Sequence, residues 1–287
     1  MDFQSIALPT ELYHQPNLVA QIYQLFSKLK QKFQFFFTYI IFVLMKVDNK
    51  VLVIDAGNTS IKVGSFINGH LKTVEIFNLK NLDLFEKWLC THAKYNAIVS
   101  SVLSNEDTKR LTCLLESYTL VTAETKLPIK LDYKTKHTLG VDRICNAVYS
   151  GTYSKTDYCV TIDIGTCVKF DLTGPNQHYI GGSISPGIQL RYKSLNDYTG
   201  KLPLITTKAK TKLVGNDTNS CIHSGVMNGL KAEITMMMAE YRVQFPSLTF
   251  FMTGGDASHF DLVSKNDIFA DENLTLKGLY EIYKHNA

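Results

Sequence analysis

Two short runs in this 287-residue sequence join an acid to small hydrogen-bonding residues at the end of an apolar stretch: Asp55-Ala56-Gly57-Asn58-Thr59 and Asp163-Ile164-Gly165-Thr166. Glycine lets main-chain N–H groups come close to an anion, Asn and Thr add side-chain donors, and an aspartate at a strand end can hold a hydrated divalent cation. Such turns suit the phosphates of a nucleotide and their Mg²⁺. Either run alone could equally be an ordinary polar β-turn, but the two recur 108 residues apart (Asp55 to Asp163), and a third turn, Thr253-Gly254-Gly255, follows near the end. Neither GxxxxGK[ST] nor GxGxxG occurs, so a P-loop and a Rossmann site are not indicated. An ATP site built from opposed hairpins remains.

These turns need elements to hold them. Val51 to Asp55 (VLVID) reads as a strand and the IKVGSF segment after the turn as a second; Cys159 to Leu172 repeats the design, which suggests an internal duplication. Between the hairpins, Leu82 to Ala93 has helical spacing, Ala97 to Val102 reads as a strand and Thr108 to Ser117 as a helix. Later, Gly181 to Gly187 (GGSISPG) reads as a glycine-rich corner, and Ser220 to Arg242 as a long helix burying Met236, Met237 and Met238. Leu248 to Met252 is a final apolar strand, ending at the Thr253 turn. Alternating strands and helices imply an α/β architecture. The polar stretch 151–156 (GTYSKT) marks a boundary between two like halves, 45–152 and 153–287.

Composition agrees with a globular chain: 45% of residues are hydrophobic and 20% charged, and 30 basic against 26 acidic residues leave a net charge of +4. That charge is too slight and too evenly spread for a nucleic-acid surface, though a small anion remains compatible. The six cysteines, Cys90, Cys113, Cys145, Cys159, Cys167 and Cys221, lack zinc-ligand spacing and read as reduced, mostly buried thiols of a cytoplasmic protein. The eight histidines fall in no motif and read as structural or surface residues. An apolar run, Phe35 to Met45, follows Lys28, Lys30 and Lys32. It is too short to span a bilayer, and no small-x-small cleavage site follows it. Residues 1–44 are therefore expected to be an extension outside the functional fold, with Met45 as the natural start and no membrane role.

Five segments occur in the order found in type III pantothenate kinases: DAGNTSIK (55–62), LGVDR (139–143), DIGT (163–166), GGSISPG (181–187) and TGGDA (253–257). The chain resembles that family over residues 50–283. The resemblance implies two duplicated actin-like ATPase (ribonuclease H-like) domains facing each other across a nucleotide cleft. It also implies particular roles. Asp55, Ala56, Gly57, Asn58, Thr59, Ser60, Ile61 and Lys62 would form the first phosphate segment, with Asp55 holding Mg²⁺ through water. Thr166 would contact ATP, and Asp163 would bind a monovalent cation, potassium or ammonium. Gly140, Val141, Asp142 and Arg143 would form the pantothenate segment, Asp142 acting as general base and Arg143 pairing with an anionic oxygen of the substrate or the transferred group. Tyr133 and Thr199 would line the same pocket, although Lys136 stands where many members carry proline.

The implied reaction is ATP-dependent phosphorylation of pantothenate to 4′-phosphopantothenate, the first step of coenzyme A biosynthesis, by a cytoplasmic homodimer. Two other functions fit the fold: a non-catalytic regulatory relative, expected to have lost Asp142 or the paired turns, and another small-molecule kinase of the superfamily, against which GVDR argues.

Overall fold

The computed structural model describes residues 24–25, 27–34, 36, 50–57, 59–79, 82–122, 124–206, 210–260 and 267–287. The chain divides into two compact units, residues 1–49 and 50–287. In the first unit the described residues are helical and exposed. The apolar run 35–45, apart from residue 36, and the expected start at Met45 lie outside the described residues. None of the described helices is long and apolar enough to cross a membrane.

The second unit opens with three antiparallel strands, β1 (Lys50–Ala56), β2 (Ser60–Ile67) and β3 (His70–Asn78). Helix α1 (Leu82–Cys90) then returns the chain to β4 (Asn96–Ser101), and α2 (Asn105–Thr112) to β5 (Tyr118–Leu120), both pairing parallel. Their sheet runs in the order β3-β2-β1-β4-β5. Val51 to Ile54 are all buried, as a central strand covered on both faces requires, which is why β1 reads as an unbroken apolar run.

After the short β6 (Lys130–Leu131) and helix α3 (Val141–Tyr153), the plan repeats. Antiparallel β7 (Tyr158–Ile164), β8 (Cys167–Gly174) and β9 (His178–Pro186) are followed by α4 (Ile188–Asp197) and the long α5 (Thr218–Gln244). The parallel strands β10 (Leu248–Thr253) and β11 (Ile268–Ala270) complete the second sheet, and α6 (Leu274–Asn286) ends the chain. The order β9-β8-β7-β10-β11 matches that of the first sheet strand for strand, with β6 added beside β9.

Helix α6 does not stay with the second sheet. It packs on α3 and reaches β1, β2 and β4. A Cβ at Gly278 would strike the carbonyl oxygen of Cys145, so only glycine permits this close crossing of α6 over α3.

Several expectations need correction. The glycine-rich 181–186 segment is strand, not corner: a Cβ at Gly182 would collide with the Phe170 carbonyl of β8, so glycine serves close strand approach there. The helix expected at 108–117 begins earlier, because Ser104 caps it by accepting the Asp107 N–H at 3.1 Å. Of the three consecutive methionines, Met238 is buried while Met236 is 61% exposed; residues two apart lie about 200° round a helix and so face opposite sides. The polar stretch 151–156 is helical through Tyr153, and beside it Ser150 is fully buried and accepts a hydrogen bond from Thr161. Strand β3, half-exposed along its length, was not foreseen. Only Cys145 and Cys159 among the cysteines are buried, while Cys90, Cys113 and Cys221 are exposed.

Candidate active site

The two hairpins are superimposable in logic. Asp55 at the end of β1 faces Lys62 across the β1–β2 pair, and Asp163 near the end of β7 faces Lys169 across the β7–β8 pair. Both aspartates line one cavity of about 210 Å³ together with Gly57, Thr59, Ser60, Lys62, Asp142, Thr166, Thr253 and Gly254. The sequence motifs far apart in the chain thus meet. Gly254 contributes because its backbone is left-handed (φ +101°) and any side chain there would strike the Ile164 carbonyl beside the DIGT turn.

Three carboxylates in one polar recess repel each other. Asp55 records this: its carboxyl is pushed up to about 6 from 3.8, chiefly by burial and then by the charge of Asp142, while the Ser100 hydroxyl and Lys62 pull it down. A divalent cation would relieve that repulsion, and Asp55 with nucleotide phosphates and water is a suitable oxygen donor set for Mg²⁺. Among the described residues no group of three or more His, Cys, Asp or Glu side chains is placed to hold a metal alone.

Asp142 sits in the first turn of α3, where a helix N-terminus favours a negative charge. Its Oδ1 accepts the Arg143 main-chain N–H at 2.9 Å and its Oδ2 accepts from Lys169 Nζ at 2.6 Å. The same Nζ lies 2.6 Å from Asp163 Oδ2. Lys169 therefore bridges the proposed base and the second turn. Burial acts to lower its pKa, but the charges of Asp163 and Asp142 outweigh it and hold the ammonium above the ordinary lysine range. Sequence reasoning passed over this residue, because it follows Asp163 by six positions where Lys62 follows Asp55 by seven, and only the strand register shows the two lysines to be equivalent.

Arg143 points elsewhere. It is buried, and its Nε and Nη2 lie 2.8 and 2.6 Å from Asp171 Oδ1, which also accepts the Tyr179 hydroxyl at 2.7 Å. Tyr133 packs on Tyr179 with ring centroids 5.8 Å apart and lies on that side too, away from the cavity lining. Thr199 is also absent from the cavity lining; its hydroxyl donates to the Leu195 carbonyl at 2.6 Å just past the end of α4. Ala56 and Ile61 bury their side chains in the core, leaving only their main chain to meet a ligand. Gly140 and Val141 start α3. Lys62 Nζ donates to the Glu272 carbonyl at 3.1 Å. Asn58 lies outside the described residues.

A family model described as type III pantothenate kinase matches residues 51–240, beginning with β1. The chain belongs to the type III pantothenate kinases. A relative in Christiangramia forsetii bearing that name is 40% identical over 241 residues, covering 82% of this chain and 98% of its own. Another, in Phocaeicola vulgatus, is 36% identical with the same coverage of both chains. Among solved structures, a Campylobacter jejuni protein described as a conserved Baf family transcriptional activator is 21% identical with a TM-score of 0.55, covering 82% of this chain and 98% of its own. A Listeria monocytogenes protein described as an N-acetylmannosamine kinase is 11% identical with a TM-score of 0.50, covering 83% of this chain and 100% of its own. These likenesses to solved structures show the fold of this type III pantothenate kinase, an α/β chain with two mixed sheets, and nothing more.

Proposed function

We propose that the chain transfers the γ-phosphoryl group of ATP to the primary hydroxyl of pantothenate, releasing ADP and 4′-phosphopantothenate, the first step toward coenzyme A. The observation that carries this is family membership over nearly the whole length of the named relatives. The cavity adds the chemistry. Phosphoryl transfer needs positioning and charge neutralisation more than covalent help from the protein.

In this mechanism the turns at Gly57 to Ser60 and at Thr166 cradle the phosphates, with Lys62 beside them. Asp55 would hold the nucleotide's Mg²⁺, which would supply charge neutralisation to the phosphates. Asp142, whose side chain is 34% exposed at the cavity, accepts the hydroxyl proton through a carboxylate oxygen as the new O–P bond forms and the β–γ bridge breaks. Arg143 takes no direct part in the ligand-free arrangement; it fixes the start of α3 and so the position of Asp142.

The matching strand order of the two sheets supports a duplicated pair of ribonuclease H-like domains, 45–152 and 153–287, facing across the nucleotide cleft, with α6 crossing back to the first. Residues 1–44 fall outside the matched family region and are read as dispensable. A homodimer would cover the exposed apolar side chains of Ile180 and Ile184 on β9 and of Met236 and Val243 on α5. ATP as donor and six free cysteines favour a cytoplasmic enzyme. The monovalent cation implied at Asp163 does not fit this chain, because the Lys169 ammonium already lies against that carboxylate.

The test is release of ADP by the purified protein on adding pantothenate to MgATP. A protein that binds ATP but releases no ADP in response to pantothenate refutes the assignment.

A further inference from the structure

Lys169 occupies the place where the reaction would otherwise recruit an ion. Its Nζ stands 2.6 Å from both Asp142 Oδ2 and Asp163 Oδ2, and its side chain is only 15% exposed. An ammonium group offers one positive charge and three donors, of which these two carboxylates take two. A potassium ion on the same Asp163 oxygen would sit within about 4 Å of that charge, where like charges repel by ~4 kcal/mol at an effective dielectric of 20. The strand geometry leaves the lysine little alternative: Lys169 is the cross-strand partner of Asp163 in the antiparallel β7–β8 pair, so its side chain shares that face of the sheet. Asp171, two residues along the same face, is tied to Arg143. Both ends of this short β8 segment are thereby pinned to α3, and the ammonium is held over the acid turn.

We propose that the Lys169 ammonium is itself the monovalent cation of this site, so that phosphoryl transfer by this chain needs neither added potassium nor added ammonium. It acts as a positioning residue: it orients the Asp142 carboxylate and neutralises Asp163 beside the phosphate cradle. The inference rests on the pantothenate kinase reading for its catalytic consequence, but not for its statement about ion binding.

The full chain is assayed for pantothenate-dependent ADP release in potassium chloride and in choline chloride at equal ionic strength, and its ligand-free melting temperature is measured in the same two salts. Equal rates and equal melting temperatures are expected. A rate or a melting temperature that rises specifically with potassium overturns the proposal. Lys169→Thr provides the reciprocal arm. Losing one fixed charge from such a site is expected to lower turnover by about 10²- to 10³-fold, and potassium or ammonium should restore part of it, which a merely structural lysine would not predict. A folded Lys169→Thr protein that keeps full activity in choline, or that neither cation rescues, also overturns it. Absence of ADP release in every salt would refute the pantothenate kinase reading instead, and the melting comparison would still decide whether the wild-type site takes up potassium.

Discussion

The guanidinium of Arg143 is joined to Asp171 by two contacts, Nε at 2.8 Å and Nη2 at 2.6 Å to the same Oδ1, inside a part of the protein where both side chains are almost fully hidden from water. Burial lowers the pKa of Arg143 and raises that of Asp171; the pairing more than reverses the first and partly offsets the second. Removing one partner leaves the other charge uncompensated, which typically costs 3–5 kcal/mol. Arg143→Ala should therefore unfold at markedly lower urea, and Arg143→Ala with Asp171→Ala should recover much of the loss. Equilibrium denaturation of the three proteins checks this. A fully stable single variant with only a raised KM for pantothenate would instead make Arg143 a substrate contact.

Asp142→Asn keeps the shape of the first turn of α3 and removes the basic oxygen. General-base assistance contributes about 10²- to 10⁴-fold, so kcat should fall by that range. ATP affinity, measured by calorimetry, should change little. Near-normal turnover would remove Asp142 from the role of base.

Asp55 gives the site a pH signature. Its pKa is about 6 in the folded chain against 3.8 as a free side chain, so it contributes stability that is complete below about pH 4 and lost as pH rises through 6. Above that point the ligand-free protein carries a costly charge. Asp55→Asn should raise the ligand-free stability at pH 8 by about 1–3 kcal/mol, given 1.36 kcal/mol per pKa unit, while abolishing turnover. The kcat/KM of the wild type, which reports the free enzyme, should in turn decline below pH 6 as this carboxylate protonates, while kcat at saturating MgATP should hold to lower pH. Melting curves and rates across pH 5–8 test both halves of the prediction.

At the crossing of α3 and α6, Gly278→Ala introduces a methyl group against the Cys145 carbonyl. Overpacking of a tight contact typically costs 1–3 kcal/mol, roughly, and occasionally more. A urea midpoint unchanged by this substitution would mean the two helices can separate without loss.

A protein beginning at Met45 should retain the pantothenate-dependent activity of the full chain, because the matched family region starts at residue 51 and the compact second unit at Lys50. An inactive but folded truncation would give the extension a function.

Much of the site was written in local chemistry. A strand buried on both faces must be apolar throughout, and a turn that meets phosphate must be small and rich in donors, so β1, β7 and the DAGNT and DIGT turns stand out in the primary structure. Asp142 was singled out only by the resemblance of its LGVDR segment, because an acid in the first turn of a helix is common wherever a helix begins. What sequence alone could not decide was which side chains meet across distance. The pairing register that sets Lys169 opposite Asp163, the burial that turns Arg143 away to Asp171, and the return of α6 to the first sheet all depend on contacts between residues far apart in the chain. A lysine in a β-strand is by itself a solvated cation. It becomes a bridge between two carboxylates only when the β7–β8 register and the start of α3 bring both to within 2.6 Å of it.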